Sequence, residues 1–234
     1  MDFRKAIPNT VTSMNLLCGV VGVIFAFRDR PDIAFSLMLA AAAFDFLDGL
    51  AARALGAYSD IGKELDSLCD VVSFGVLPTV MLHRTMVVLS GESFWCYIPL
   101  VLAVFSALRL AKFNVDERQH SSFVGLPTPA AAMICGALCC FAYAEPGTAP
   151  ARFCATAWGL PLLAAVLSAL LVCELPMFAM KFGKGIVTGR RTRLKRLCFL
   201  GISVLGAILT AVFGLHWSLA VLLAFAGYVL VNLI

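Results

Sequence analysis

The chain has 234 residues, of which 61% are hydrophobic and 14% charged, and its mean hydropathy is +0.94. A soluble domain carries about 25% charged residues, so this composition excludes a water-soluble globular fold and points to an integral membrane protein. Strict period-2 alternation is absent, which excludes barrel strands, and the net charge of +4 calls for no nucleic-acid partner.

Eight apolar segments follow in order, at roughly 10–27, 33–55, 64–89, 93–111, 127–144, 155–178, 197–213 and 217–233. The expected fold is all-α, a polytopic membrane helical bundle. The first segment is preceded by Arg4 and Lys5, and no A-x-A-like cleavage site follows it. It reads as a retained first span with its N-terminus inside. Pro8 and Asn9 mark a helix start. With eight spans, the inner face receives every Lys and Arg except Arg28, Arg30, Arg84 and Arg152 out of 18, which places both termini in the cytoplasm. Trp95, Trp158 and Trp217 then fall at outer ends, where interface anchors belong.

The second and third segments break the apolar pattern. They carry DFLDGLAARALGAYSDIGKELDSLCD, residues 45–70, with Asp45 and Asp48 three apart and Asp66 and Asp70 four apart. On helices each pair projects from one face. Asp45 lies eight residues from Arg53, and Asp70 eight from Gly62, so at about 1.5 Å per residue both sit ~12 Å from their helix ends on antiparallel neighbours. Asp48 and Asp66 face the same cleft nearer the cytosol, and Asp60 reads as a solvated loop carboxylate. Acidic groups at bilayer depth mark functional sites, and four together need compensating charge. Two divalent cations cancel it. Oxygen-only ligands suit Mg²⁺ or Mn²⁺, and a two-metal carboxylate site suits phosphoryl transfer. A ferritin-like di-iron centre wants ExxH helices, and none is present. Gly49 and Gly62 let a diphosphate approach backbone, or let helices pack closely; Arg53 can pair with a carboxylate or a phosphate.

The later segments are less polar. Arg109 and Lys112 stand at the inner end of the fourth, followed by Asn114. Gly125, Pro127 and Pro129 stop a helix before the fifth and place irregular backbone beside the cleft. The basic run KFGKGIVTGRRTRLKR (181–196) contains Gly183, Gly185 and Gly189, which disfavour a regular helix for much of it. It reads as a cytoplasmic linker with topogenic and headgroup contacts. The nine cysteines read as small apolar packing residues, and His83, His120 and His216 lie near segment ends or in loops.

The spacing D-x2-D-G-x2-A-R-x8-G-x3-D-x3-D is met without departure by Asp45, Asp48, Gly49, Ala52, Arg53, Gly62, Asp66 and Asp70. It resembles the signature of the CDP-alcohol phosphotransferases, which transfer a phosphatidyl or similar group from a CDP-linked donor to an alcohol. The resemblance implies Asp45, Asp48 and Asp66 as metal ligands. It implies Asp70 as general base, touching a second metal. Gly49, Arg53 and Gly62 would line the CDP site, with Asn9 and Thr12 near the nucleotide. IPNTVTSMNLLCG (7–19), DVVSFGVLPTVML (70–82), SALRLAKFNVDER (106–118), FVGLPTPAA (123–131) and LVCELPMFAMKF (171–182) resemble the bacterial and archaeal phosphatidylserine synthases of that superfamily. The likeness implies CDP-diacylglycerol and L-serine as substrates, with Arg109, Lys112 and Asn114 holding the serine or a phosphate. It implies a homodimer in the inner membrane with its active site facing the cytoplasm. The expected organisation is a six-helix catalytic domain at 1–180, the linker at 181–196 and a C-terminal transmembrane pair at 197–234. The alternatives are glycerol 3-phosphate or an inositol phosphate as acceptor, and a cation-coupled transporter.

Overall fold

A computed structural model describes residues 3–115, 123–177 and 190–233. Among them helix dominates. The elements are α1 (Phe3–Phe27), α2 (Pro31–Leu55), α3 (Asp60–Asp70), a π-helical stretch (Val71–Val76) and α4 (Leu77–Ser90). A 3-10 segment (Phe94–Leu100) leads into α5 (Val101–Val115). Then come β1 (Phe123–Val124), α6 (Thr128–Ala144), α7 (Ala149–Cys154), α8 (Gly159–Val172), β2 (Pro176–Met177), α9 (Arg190–Val212) and α10 (Ser218–Leu233). The two short strands pair antiparallel, Phe123 opposite Met177.

The chain is a multi-pass membrane bundle. Five helices are long and apolar enough to cross a bilayer: Ala6–Phe27, Pro31–Leu55, Asp60–Ser90, Phe94–Val115 and Arg193–Val212. Of the eight expected spans, those of α6, α8 and α10 are shorter apolar helices. The segment expected at 155–178 is helical only over Gly159–Val172. Pro176 disfavours helix at the residue before it, and the Leu175 carbonyl accepts from Gly125 N at 2.9 Å instead. Conversely, α9 is longer than the short seventh segment expected. The glycines of the basic run end at Gly189, and the good helix formers after it carry helix back to Arg190. The rest of that run, 181–189, lies outside the described residues, as do Arg118 and His120.

Three smaller expectations change. Pro8 lies inside α1, not at its start; so near the end its missing N–H costs one helical hydrogen bond. Asp60 is the exposed first residue of α3, not a loop residue. His83 stands within α4, its Nδ1 2.9 Å from the Cys96 carbonyl. All nine cysteines are free and six are buried, as packing residues should be.

The core gathers around α6, whose side chains are buried along nearly its whole length and which packs against α2, α4 and α10. Alternate connections lie at opposite ends. At one end Arg84 holds Asp29 in a bidentate pair, Ser90 reaches the Ala155 carbonyl, and Trp217 stacks on Phe35 at 5.4 Å. The half-exposed tryptophans are at this end. At the other, Asn114 reaches Ser67 on α3 and Lys195 reaches the Asn232 carbonyl. The four aspartates stand on α2 and α3, between the middle of the bundle and this second end.

Candidate active site

Gly56, in the left-handed region at φ 58°, closes α2 on the carbonyls of Ala52 and Arg53. Ser59 then caps α3, its hydroxyl accepting from Gly62 N at 3.0 Å. This short turn makes α2 and α3 antiparallel. α1 packs against both, whereas no comparable packing joins α2 directly to α3 among the described residues. The space between them is a cleft with α1 as its back wall.

Asp45, Asp48 and Asp66 meet in that cleft, each offering a carboxylate oxygen with all three atoms within 4.8 Å of one another. Asp66 Oδ1 is buried and accepts no hydrogen bond. Three carboxylates this close repel one another in a low-dielectric setting, and a hard cation relieves both the repulsion and the orphaned oxygen. The group can therefore hold a metal ion. Asp70, 8% exposed, stands outside this trio.

Two side chains of α1 hold the carboxylates. The Thr12 hydroxyl donates to Asp48 Oδ2 at 2.5 Å, and Asn15 Nδ2 donates to Asp70 Oδ1 at 3.1 Å. The family resemblance points to Thr12 only as a neighbour of the nucleotide and singles out no role for Asn15; a polar pair one turn apart on α1 is the signal that marks both. Asp70 is followed at once by the π-helical turn. Pro78 explains it, since its ring and missing N–H disrupt the regular bond to the carbonyl four residues back.

The two glycines differ in surroundings. A Cβ on Gly49 would meet nothing nearer than Arg53 Nη2 at 4.0 Å, so its face of α2 is open beside that exposed guanidinium. A Cβ on Gly62 would stand 2.9 Å from the Ser59 hydroxyl and 3.0 Å from Asn9 Oδ1, so Gly62 is what allows the cap and the approach of α1.

The expected acceptor residues spread apart. Arg109 is buried, 7% exposed, donates to Thr128 Oγ1 at 3.2 Å and lies over the Phe113 ring at 5.6 Å. Lys112 pairs with Glu174 at 3.4 Å on the surface. Asn114 donates to Ser67 Oγ at 2.9 Å, while its carbonyl accepts from Lys63. The irregular backbone around Gly125 packs on the end of α8, and just after it Thr128 accepts from Arg109.

Against known proteins, the profile described as CDP-alcohol phosphatidyltransferase matches residues 5–170. The chain is similar to three proteins named CDP-diacylglycerol–serine O-phosphatidyltransferase. It is 40% identical over 136 residues to that of Mycobacterium leprae (strain TN), covering 55% of this chain and 45% of the relative. To that of Bacillus subtilis (strain 168) it is 34% identical over 137 residues, 58% of this chain and 76% of the relative. To that of Methanocaldococcus jannaschii it is 37% identical over 134 residues, 57% and 60%. The chain spans about half the length of the mycobacterial relatives it matches. A profile match over most of the chain, taking in the helices that gather three aspartates and leave a fourth outside the trio, shows that this chain belongs to the CDP-alcohol phosphatidyltransferase family.

Proposed function

We propose that the chain transfers the phosphatidyl group of CDP-diacylglycerol to the hydroxyl of L-serine, giving phosphatidylserine and CMP. The observation that carries the reaction class is the trio Asp45, Asp48 and Asp66 with Asp70 held apart by Asn15. The names of the relatives support serine as acceptor.

Asp70 takes the proton of the serine hydroxyl. The hydroxyl oxygen forms a bond to the phosphorus that carries the diacylglycerol, and the bond from that phosphorus to the CMP oxygen breaks, its electron pair leaving with CMP. No covalent enzyme intermediate is needed. Arg53, beside the open face of Gly49, and Asn9, beside Gly62, line the CDP side. Arg109 draws the phosphate or the serine carboxylate toward Thr128, with Lys112 and Asn114 at the mouth. Asp45, Asp48 and Asp66, with Asp70, would hold two divalent cations, Mg²⁺ or Mn²⁺, which when bound neutralise the diphosphate and the charge growing on CMP. Thr12 fixes the Asp48 carboxylate for that task.

In this reading residues 1–180 form the catalytic domain, 181–196 a basic stretch at the headgroups, and 197–234 a C-terminal pair whose first helix begins early, at Arg190. The site opens to the cytoplasm of a bacterial inner membrane with both termini inside, consistent with the distribution of Lys and Arg, and the protein works as a homodimer.

Purified protein is expected to release CMP from CDP-diacylglycerol only with a divalent cation, and to prefer L-serine over glycerol 3-phosphate and inositol phosphate. Asp70→Asn should lower turnover at least about 100-fold, the scale of a lost general base. Near-normal turnover in that variant would remove Asp70 from the role.

A further inference from the structure

Asn15 stands on α1 one turn beyond Thr12 and is 0% exposed. Its Nδ2 donates to Asp70 Oδ1 at 3.1 Å. A carboxylate there can only accept, so the amide is oriented: nitrogen toward Asp70, oxygen elsewhere. That oxygen, Oδ1, is buried and has no hydrogen-bond partner. Buried amide oxygens are normally paired, so this one calls for a donor.

The surroundings hold Asn15 firmly. Ser73, buried in the π-helical stretch, donates its hydroxyl to the Asn15 carbonyl at 3.0 Å. One turn on, a Cβ at Gly19 would stand 2.9 Å from the Ser73 Cα, so α1 and the third span pack tightly here. Thr12 anchors the preceding turn on Asp48. The backbone of α1 is thus fixed on both sides of Asn15, and its side chain is tied to Asp70.

Amide bond lengths keep Oδ1 within about 5 Å of the Asp70 carboxylate. In a 2-amino alcohol the hydroxyl oxygen and the ammonium nitrogen sit on adjacent carbons, ~3 Å apart when gauche. Oδ1 is covered in this structure, so an acceptor whose hydroxyl meets Asp70 brings its ammonium to Oδ1 as the site opens around it.

We infer that Asn15 selects the acceptor: its Nδ2 orients Asp70, and its Oδ1 receives an N–H from the ammonium on the carbon next to the reacting hydroxyl. This rests on the reading of Asp70 as the base and adds how the amino group of serine is recognised. An analogue with the same hydroxyl and carboxylate but no amino group, 3-hydroxypropionate, leaves Oδ1 unpaired. Sites built around such a bond reject the analogue that lacks it strongly.

The test is CMP release by the full chain in lipid nanodiscs with CDP-diacylglycerol and Mn²⁺, with L-serine or 3-hydroxypropionate as acceptor. Wild type should favour L-serine by about 100-fold or more in kcat/KM. Asn15→Leu, similar in volume, should compress that ratio below about tenfold, raise the KM for L-serine and leave the KM for CDP-diacylglycerol unchanged. Misplacement of Asp70 alone would lower kcat for both acceptors and spare the ratio. Wild type using 3-hydroxypropionate within about threefold of L-serine overturns the inference without any variant, and so does a ratio untouched in Asn15→Leu. Absence of CMP release with every acceptor refutes the transferase reading itself; release with a ratio indifferent to Asn15 refutes this inference alone.

Discussion

Replacing Thr12 with valine removes one hydroxyl and keeps the volume. That hydroxyl has a single proton and two acceptors within reach, Asp48 Oδ2 at 2.5 Å and the Pro8 carbonyl at 3.0 Å. The carboxylate is both nearer and charged, so it takes the proton. Thr12 is 3% exposed and Asp48 7%, so water cannot substitute. A buried hydrogen bond to a charged group contributes about 1.5–3 kcal/mol. If Thr12 holds Asp48 in the orientation a cation requires, that energy appears in cation affinity. At about 1.4 kcal/mol per tenfold, Thr12→Val should weaken Mn²⁺ binding by roughly 10- to 100-fold, the range seen for residues that orient metal ligands. Mn²⁺ binding to the purified protein can be titrated by electron paramagnetic resonance with no substrate present, and compared with the Mn²⁺ concentration that half-activates CMP release. Both should shift together, with maximal turnover at saturating Mn²⁺ within about threefold of wild type. Unchanged Mn²⁺ affinity in a folded Thr12→Val protein would refute the reasoning, since the bond would then serve only the packing of α1 on α2.

Two predictions concern the scaffold. Gly125 adopts φ +78°, and a Cβ there would stand 2.8 Å from the Leu171 carbonyl oxygen and 2.9 Å from that of Cys173; Gly125→Ala should cost about 2 kcal/mol or more, read as a lowered thermal midpoint in detergent, and an unchanged midpoint would contradict the packing of this turn on α8. Asp29 holds φ 56° while Arg84 grips both its oxygens at 2.9–3.0 Å, with the two side chains 40% and 25% exposed; Arg84→Met should cost about 0.5–1 kcal/mol in the same measurement, and a much larger loss would mean that the pair does more than close one end of the bundle.

Much of this arrangement is written in residues 45–70, because acidic side chains in an apolar span have few outlets and their helical spacing fixes which face they share. Ten residues separate Asp45 from the end of α2 and ten separate Asp70 from the start of α3. Spacing alone did not show that the close trio includes Asp66 and leaves Asp70 out, because that depends on how two helices are set against a third. Lys112 and Asn114 illustrate the opposite difficulty. A cation and an amide at a helix end suit a substrate, but they suit Glu174 and Ser67 as well, and only the placement of α8 and α3 brings those partners near. The π-helical turn was also concealed, since Pro78 signals a broken bond and not the way in which the helix absorbs it.

The back wall is the part of the site that the sequence carries in plain view yet in a quieter form. Thr12, Asn15 and Gly19 recur three and four residues apart on α1, which puts two polar side chains and a gap on one face, whereas the Thr10 and Ser13 hydroxyls bond back to carbonyls of their own helix. In a soluble protein such a stripe would face water. In a membrane span it must face protein, and the groups most in need of hydrogen-bond donors are the aspartates of the next two spans. The structure pairs them in that order, Thr12 with Asp48, Asn15 with Asp70, and Gly19 against Ser73. Three successive turns of α1 therefore set the orientation of one trio ligand, the orientation of the fourth carboxylate and the closeness of the third span. Signatures built on the aspartates alone pass over this stripe, although it decides which way two of them point.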